Sequence, residues 1–208
     1  MVGRSDPERI ARKREQIAIE AGRLFGTQGY ERTSVAQIAA AIGTSPASIF
    51  YYFTDKATLF RAVFERDLPA TQALVARHAD ATDPLAAILA IVDELAQQAD
   101  EPGASGLVVE LLRRVEHDAE LMGVVARTAQ TVNEGLATLI ARGIDHGAID
   151  PTLDPTQSAS WLQSIVDAIF LNAESGRSRR SELRRTVLGY LIPPSTTSPS
   201  SISLSTPD

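Results

Sequence analysis

The 208-residue chain contains no cysteine, which excludes disulfides and thiolate metal sites. Its opening stretch, MVGRSDPERIARKR, has no apolar core of the kind a secretion signal needs. No apolar run approaches the length of a membrane span. Histidine is sparse: His78, His117 and His146 stand far apart, each beside charges, without the clustered spacing of a metal site. There is no phosphate-loop glycine pattern and no nucleophile set beside a base. These absences lead to the expectation of a cytoplasmic protein that is not an enzyme and uses no cofactor or metal.

What is present is an ordinary globular composition, 44% hydrophobic, with a net charge of -6. The charge is unevenly placed. Residues 1–66 hold 10 Lys+Arg and 7 Asp+Glu, a net of +3, whereas residues 67–208 hold 10 and 19, a net of -9. A basic end on an acidic body is the pattern of a nucleic-acid-binding head on a body that does not bind nucleic acid.

Nearly every segment has helical spacing, and no two-residue alternation suggests a sheet. Ile10, Ile17, Ala21, Leu24 and Phe25 form a first stripe that stops at Gly29. Leu59, Phe60, Val63 and Phe64 continue the pattern after Asp55. Asp83-Pro84 is a cap and a first-turn proline, opening the stripe Leu85, Ile88, Leu89, Val92 and Leu95. Glu101-Pro102-Gly103 interrupts the chain before the apolar face Leu107, Val108, Leu111, Leu112 and Val115. A longer stripe runs from Leu121 to Ile140. Asp154-Pro155-Thr156-Gln157 then begins a helix with Trp161, Leu162, Ile165, Val166, Ile169 and Phe170, whose wide stripe requires cover on more than one side. A last helix carries Leu183, Val187, Leu188 and Leu191. From Pro193 the chain is rich in Ser, Thr and Pro and is expected to be disordered.

The stretch with the most chemistry is Thr33 to Lys56, TSVAQIAAAIGTSPASIFYYFTDK. Ser34 and Gln37 have the spacing of a capping box, so a short helix over Val35–Ala41 is expected. Gly43 supplies the positive φ of a tight turn. Ser45 caps a second short helix with Pro46 at its first position. Ala39, then Gly43 four residues later and Ile49 six further, are the small residue, turn glycine and aliphatic plug that a helix-turn-helix crossing needs. The small residues Ser45, Pro46, Ala47 and Ser48 let the second helix approach DNA closely. Ser48 can bond a base edge, and Tyr51, Tyr52 and Lys56 offer two hydroxyls and a charge. The alternative for the tyrosines is that they simply pack.

The segment Gly26–Phe64 resembles the DNA-binding domain of the TetR family. The resemblance rests on a Gly-Tyr pair ending the first helix, a Thr/Ser start to the second, an Ala-Gly helix-turn-helix, an aromatic cluster and a Lys opening the fourth helix. Counted from the first helix through the start of the fourth, the match covers about 60 residues. The resemblance implies an all-α fold: a three-helix head followed by a larger helical body for ligand binding and dimerisation. In such a division residues 1–8 are a flexible basic arm, 9–55 the head, 56–192 the body and 193–208 a disordered tail. It also implies phosphate contacts at Ser34 and Lys56, DNA reading by Thr44, Ser45, Pro46, Ala47 and Ser48, and backbone clamping by Tyr51 and Tyr52. Phe50 departs from the pattern, because many members have a hydroxyl-bearing Tyr there. Arg4, Arg9, Arg12, Lys13 and Arg14 can add phosphate or minor-groove contacts, or merely solubilise the terminus. The partners implied are double-stranded operator DNA, a small-molecule effector and a second copy of the chain, with no membrane.

In the body, Asn133, Gln163 and Asp167 lie in or beside apolar stripes and are the ligand-binding candidates. Asp167 would suit a cationic or hydroxylated ligand; otherwise it caps a neighbour, crosses a dimer or meets solvent. The mixed run of Glu110, Arg113, Arg114, Glu116, Asp118 and Glu120 is expected to be a solvated face with local ion pairs. The sequence therefore favours a repressor released from its operator by an effector. A helical protein-interaction module that no longer reads DNA, and a small helical enzyme, remain the competing readings.

Overall fold

The computed structural model describes residues 7–173 and 177–192, so residues 1–6 of the expected arm and the expected tail lie outside the described residues. Among the described residues ten α-helices follow one another: α1 (Pro7–Gln28), α2 (Val35–Ala41), α3 (Pro46–Tyr52), α4 (Lys56–Glu65), α5 (Asp67–His78), α6 (Pro84–Gln97), α7 (Ala104–Val115), α8 (Ala119–Asp145), α9 (Pro155–Leu171) and α10 (Arg180–Leu191). The expected all-α architecture is thus observed. Pro7 and Glu8 are already part of α1, so the helix begins before the expected end of the arm.

Local sequence explains most of these boundaries. Ser34, Ser45, Asp55, Asp83, Asp118 and Asp154 each stand in N-cap position, and each side chain accepts the backbone N–H three residues on. Such a cap contributes about 1 kcal/mol. Proline opens α3, α6 and α9, where its missing N–H is not needed. The weakest pattern belongs to α5, where Thr71 and Leu74 are the buried residues.

Two apolar cores result. The head core joins Ile17, Ala21 and Phe25 of α1 to Ile38 of α2, Ile49 of α3 and Leu59, Phe60 and Val63 of α4; Leu121 and Val124 of α8 complete it. The body core joins Ile88 and Ile91 of α6 to Leu136 and Ile140 of α8, Leu162 and Val166 of α9, and Leu183 and Val187 of α10. Fully burying one such side chain contributes about 1.5–3 kcal/mol. The packing boundary therefore falls after α4, later than the expected break at residue 55, and α8 serves both cores.

Helices α1 and α7 touch backbone to backbone. A Cβ on Gly26 would collide with the Gly103 carbonyl, and one on Gly106 with the Gly26 carbonyl. Gly103 also takes a φ of 88° to start α7, a conformation that disfavours any side chain.

Where α4 gives way to α5, Asp67 is partly buried. Burial is the main reason its carboxyl is pushed up to about 6; Arg66 opposes the shift and Glu15 adds to it. A raised carboxyl pKa favours the folded state at low pH. That contribution is complete below the ordinary carboxylate range near 4 and disappears as pH rises through about 6. Asp67→Asn is therefore expected to raise stability by about 1–2 kcal/mol at pH 7.5 and to change little at pH 4. Urea unfolding at the two pH values measures this, and an equal difference at both would exclude the carboxyl as the cause.

Candidate nucleic-acid interface

The loop after α1 sets the start of α2. The Thr33 hydroxyl donates to the carbonyl oxygens of Gly29 at 2.8 Å and Leu24 at 3.2 Å. Ser34 then closes a full capping box: its N–H donates to Gln37 Oε1 at 2.7 Å, and its Oγ accepts the Gln37 N–H at 3.2 Å. Ala39 is buried at the crossing, and Gly43 turns the chain with a φ of 65°. The Thr44 N–H returns to the Ala39 carbonyl at 2.9 Å. Ser45 Oγ accepts the Ser48 N–H at 3.2 Å, and α3 begins.

Buried Ile49 and Phe53 hold one side of α3 against the head. The opposite side carries Pro46, Ala47, Phe50 and Tyr51, all exposed, beside exposed Ser45. Phe50 is 51% and Tyr51 70% exposed. Ser34 is exposed too, while Thr44, Ser48 and Tyr52 are half-buried. Tyr52 meets Tyr51 edge to face at 5.0 Å between ring centres. The structure thus gathers Ser34, Thr44, Ser45, Pro46, Ala47, Ser48, Tyr51 and Tyr52 on the helix-turn-helix, with a surface of small and aromatic groups. Neither α2 nor α3 contains a charged residue.

Lys56, expected at a phosphate contact, is engaged within the head. Its Nζ donates to the Tyr30 carbonyl at 2.8 Å and the Thr33 carbonyl at 3.1 Å, and lies 4.1 Å from the centre of the Tyr30 ring. Two of its three N–H groups thus fasten α4 to the chain between α1 and α2. Arg114 of α7 also lies over this ring, with its guanidinium carbon 3.3 Å from the ring centre. Arg114 also pairs with Glu31.

The charge run of α7 and early α8 is accordingly not the simple solvated face that was expected. Glu110 is only 7% exposed and binds Arg113 at 2.9 Å. Asp118 caps α8 and, together with Glu120, pairs with Arg61 of α4. Asp118 and Glu120 reach the head across a long stretch of sequence, which is why local spacing does not reveal their pairing, whereas Glu110–Arg113 is a local pair.

Of the ligand candidates, Asn133 on α8 and Gln163 on α9 are half-buried, and the buried oxygens Asn133 Oδ1 and Gln163 Oε1 have no hydrogen-bond partner. Asp167 is an exposed residue of α9; surrounding protein shields its carboxyl enough to raise its pKa, through desolvation. None of the three lines the cleft of about 470 Å³ between the α1–α2 loop and α7, which is bordered by Gly29, Glu31, Arg32, Glu110, Arg113 and Arg114. Among the described residues no group of His, Asp and Glu has the arrangement of a metal site. No helix among them is long and apolar enough to cross a membrane.

Crossed short helices with an exposed uncharged face, carried on a helical body, define a helix-turn-helix DNA-binding regulator. The chain belongs to the TetR family: residues 19–63 match the family model for bacterial regulatory proteins of the tetR family, and residues 84–191 match that of the BetI-type transcriptional repressor C-terminal region. It is similar to the transcriptional repressor ComR of Escherichia coli, with 24% identity over 170 residues, 79% of this chain and 81% of that protein. It is also similar to the transcriptional regulator TtgR of Pseudomonas putida, with 24% identity over 173 residues, 80% of this chain and 82% of that one. In fold it resembles the fatty acid degradation regulator FadR from Bacillus halodurans, with a TM-score of 0.73 and 19% identity, covering 90% of this chain and 97% of that one. It also resembles AibR, solved with isovaleryl coenzyme A and operator DNA, with a TM-score of 0.68 and 20% identity, covering 88% and 99%.

The different roles of Tyr51 and Lys56 can be separated. Tyr51→Ala removes little buried surface, so the helical signal and melting temperature stay near wild type while DNA affinity falls about 10- to 100-fold, the size of a lost hydrogen bond to a charged group. Lys56→Ala breaks two hydrogen bonds and a cation–π contact and lowers stability by about 1–3 kcal/mol, read by urea unfolding. Unfolding by the Tyr51 variant, or unchanged stability in the Lys56 variant, would reverse these assignments.

Proposed function

We propose that this protein is a dimeric repressor that binds operator DNA through the helix-turn-helix of each head and leaves it when a small-molecule effector occupies the body. The observation that carries this reading is the outward face of α3. A large exposed aromatic surface beside small residues has no use within the chain, and it matches a major groove lined by base edges and thymine methyl groups. Phe50, which lacks a hydroxyl, is suited to such apolar contact. Ser34 and Tyr51 face the backbone phosphates, Tyr52 lies at the edge of the reading surface, and Lys56 positions the α1–α2 loop while lending its charge to the same end of the head.

The reading divides the chain into a DNA-binding head and a body for ligand binding and dimerisation, working in the cytoplasm. The dimer forms through α9 and α10. On α9, Trp161 is 53% exposed and Leu171 is also exposed, with small, exposed Ser164 and Ala168 between them and Ser160 just before. Those small side chains let a second helix approach, and a second copy supplies the missing cover of the wide stripe. The unpaired oxygens of Asn133 and Gln163 support an effector that brings hydrogen-bond donors, with Asp167 one turn beyond Gln163 on α9. Solved relatives in fold hold chemically different molecules, choline in a regulator from Saccharomonospora viridis and isovaleryl coenzyme A in AibR.

The test is selection of bound sequences from a random duplex pool, followed by affinity of the selected site across salt concentrations. The expected result is an inverted-repeat site and a steep fall of affinity with salt, since each neutralised phosphate contributes about 0.9 to the logarithmic slope. A folded dimer that enriches no sequence would overturn the reading in favour of an interaction module.

A further inference from the structure

The uncharged helix-turn-helix leaves the source of the head's electrostatic attraction to DNA open, and the other cations of the head are engaged elsewhere. Arg14 Nη1 donates to the Tyr52 carbonyl and its guanidinium stacks 4.3 Å from the Phe53 ring centre. Arg23 pairs with Glu20 at 2.6 Å, and Arg32 donates to the Gln28 carbonyl at 2.6 Å. Arg61 is held by Asp118 and Glu120, Arg66 by Glu15 at 2.7 Å, and Lys56 by two carbonyls. Among the described residues Arg9 and Lys13 stand near the start of α1 in one stripe with Arg12, which is itself ion-paired. Arg12 meets Glu8 at 3.2 Å in an exposed pair of the weakly bound kind.

This stripe is not isolated from the reading surface. Arg9, Arg12, Lys13 and Gln16 line an open cleft of about 340 Å³ whose other wall is Tyr52, the last residue of α3. Arg14 creates that juxtaposition by clipping α1 to the end of α3. Lys13 Nζ donates to Gln16 Oε1 at 3.0 Å, which leaves the Gln16 amide N–H groups as further donors. Among the described residues no carboxylate lines the cleft itself, and Glu8 meets Arg12 at its edge.

Resting on the DNA-binding reading above, we infer that this cleft is a phosphate seat, in which Arg9, Arg12, Lys13 and Gln16 of α1 grip the DNA backbone beside the bases that α3 reads. Residues four apart on a helix are about 6 Å apart along its axis, and phosphates of one strand recur about every 3.4 Å along the duplex, so the stripe spans about two consecutive phosphates. Arg14 is the positioning residue: it does not touch the phosphate but holds Tyr52 against the stripe. The seat has no buried donor to confine a small anion, and it opens beside the exposed α3 face; both features fit a polymer backbone.

The experiment compares the full-length wild type with an Arg9→Ala/Lys13→Ala double variant, and with Arg23→Ala as a control on the same helix. Each is titrated with a fluorescent mixed-sequence duplex of about 30 base pairs over a series of salt concentrations, a length that covers several helical turns. The double variant is expected to keep its helical signal and melting temperature and to lose about one to two units of logarithmic salt slope per head; the control keeps the wild-type slope. A second readout uses composition: Lys13 and Lys56 are the two lysines of the chain. Acetylation of Lys13, read by mass spectrometry, slows when duplex is added, whereas Lys56 reacts slowly throughout. A double variant with the wild-type slope, or Lys13 acetylated at one rate with and without bound duplex, would overturn the phosphate seat and leave the repressor reading intact. A wild type that binds no duplex would overturn both.

Discussion

The structure depends on the rigid contact between α1 and α7. Three glycines bring the two backbones together at Gly26, Gly103 and Gly106, where no side chain fits. Just beyond them Tyr30 is stacked on Phe25 at 5.2 Å, meets Phe60 edge-on at 5.1 Å, and carries both Lys56 and Arg114 over its ring. Burial raises the pKa of its hydroxyl, so the ring stays neutral beside its two cations. Cation–π contacts shielded from water are worth about 2 kcal/mol each. One residue thereby ties together α1, α4 and α7.

This contact constrains any release mechanism. An effector changes DNA affinity only by the difference between its affinities for the DNA-competent and DNA-incompetent states. The head cannot turn independently of α7, because backbone contact leaves no slack to absorb motion. Its other tie, from Arg61 to Asp118 and Glu120, joins α4 to the start of α8. Motion of α7 or of the first turns of α8 is thus passed to the head as a rigid displacement. The apolar residues Leu107, Val108, Leu111 and Val115 of α7 are only half-buried, so this helix has less core holding it than α6 or α8. A helix firmly attached to the head and loosely attached to the body is well placed to transmit occupancy.

What could be read from sequence was what local chemistry determines. Ser34, Ser45, Asp55, Asp83 and Asp154 announce their helices because a cap needs only its own side chain and the next turn. Ala39, Gly43 and Ile49 announce the crossing for the same reason. The packing of Lys56 and Arg114 was not legible because their partners lie far along the chain: Lys56 reaches back to Tyr30, and Arg114 pairs with Glu31 and stacks on Tyr30. A cation beside a reading helix has the same local signature whether it faces phosphate or a buried carbonyl. The membership of α4 in the head core was hidden on similar grounds, since its apolar stripe does not show which core it enters. Asn133 and Gln163 were legible as polar groups in apolar stripes, but the outward position of Asp167 required the packed helices.

The division of labour within the head follows from where charge is absent. Groups that read bases must lie against base edges, where an unpaired charge is costly and a small or aromatic side chain is tolerated. Groups that attract the duplex need only reach its backbone. In this chain α2 and α3 are uncharged, and cations crowd the first turns of α1, next to Tyr52. Arg14 makes the arrangement coherent: by binding a backbone carbonyl at the end of α3, it fixes the distance between the reading surface and the charged stripe. Attraction and reading are thereby assigned to different helices, but their geometry is set by one hydrogen-bonded clip.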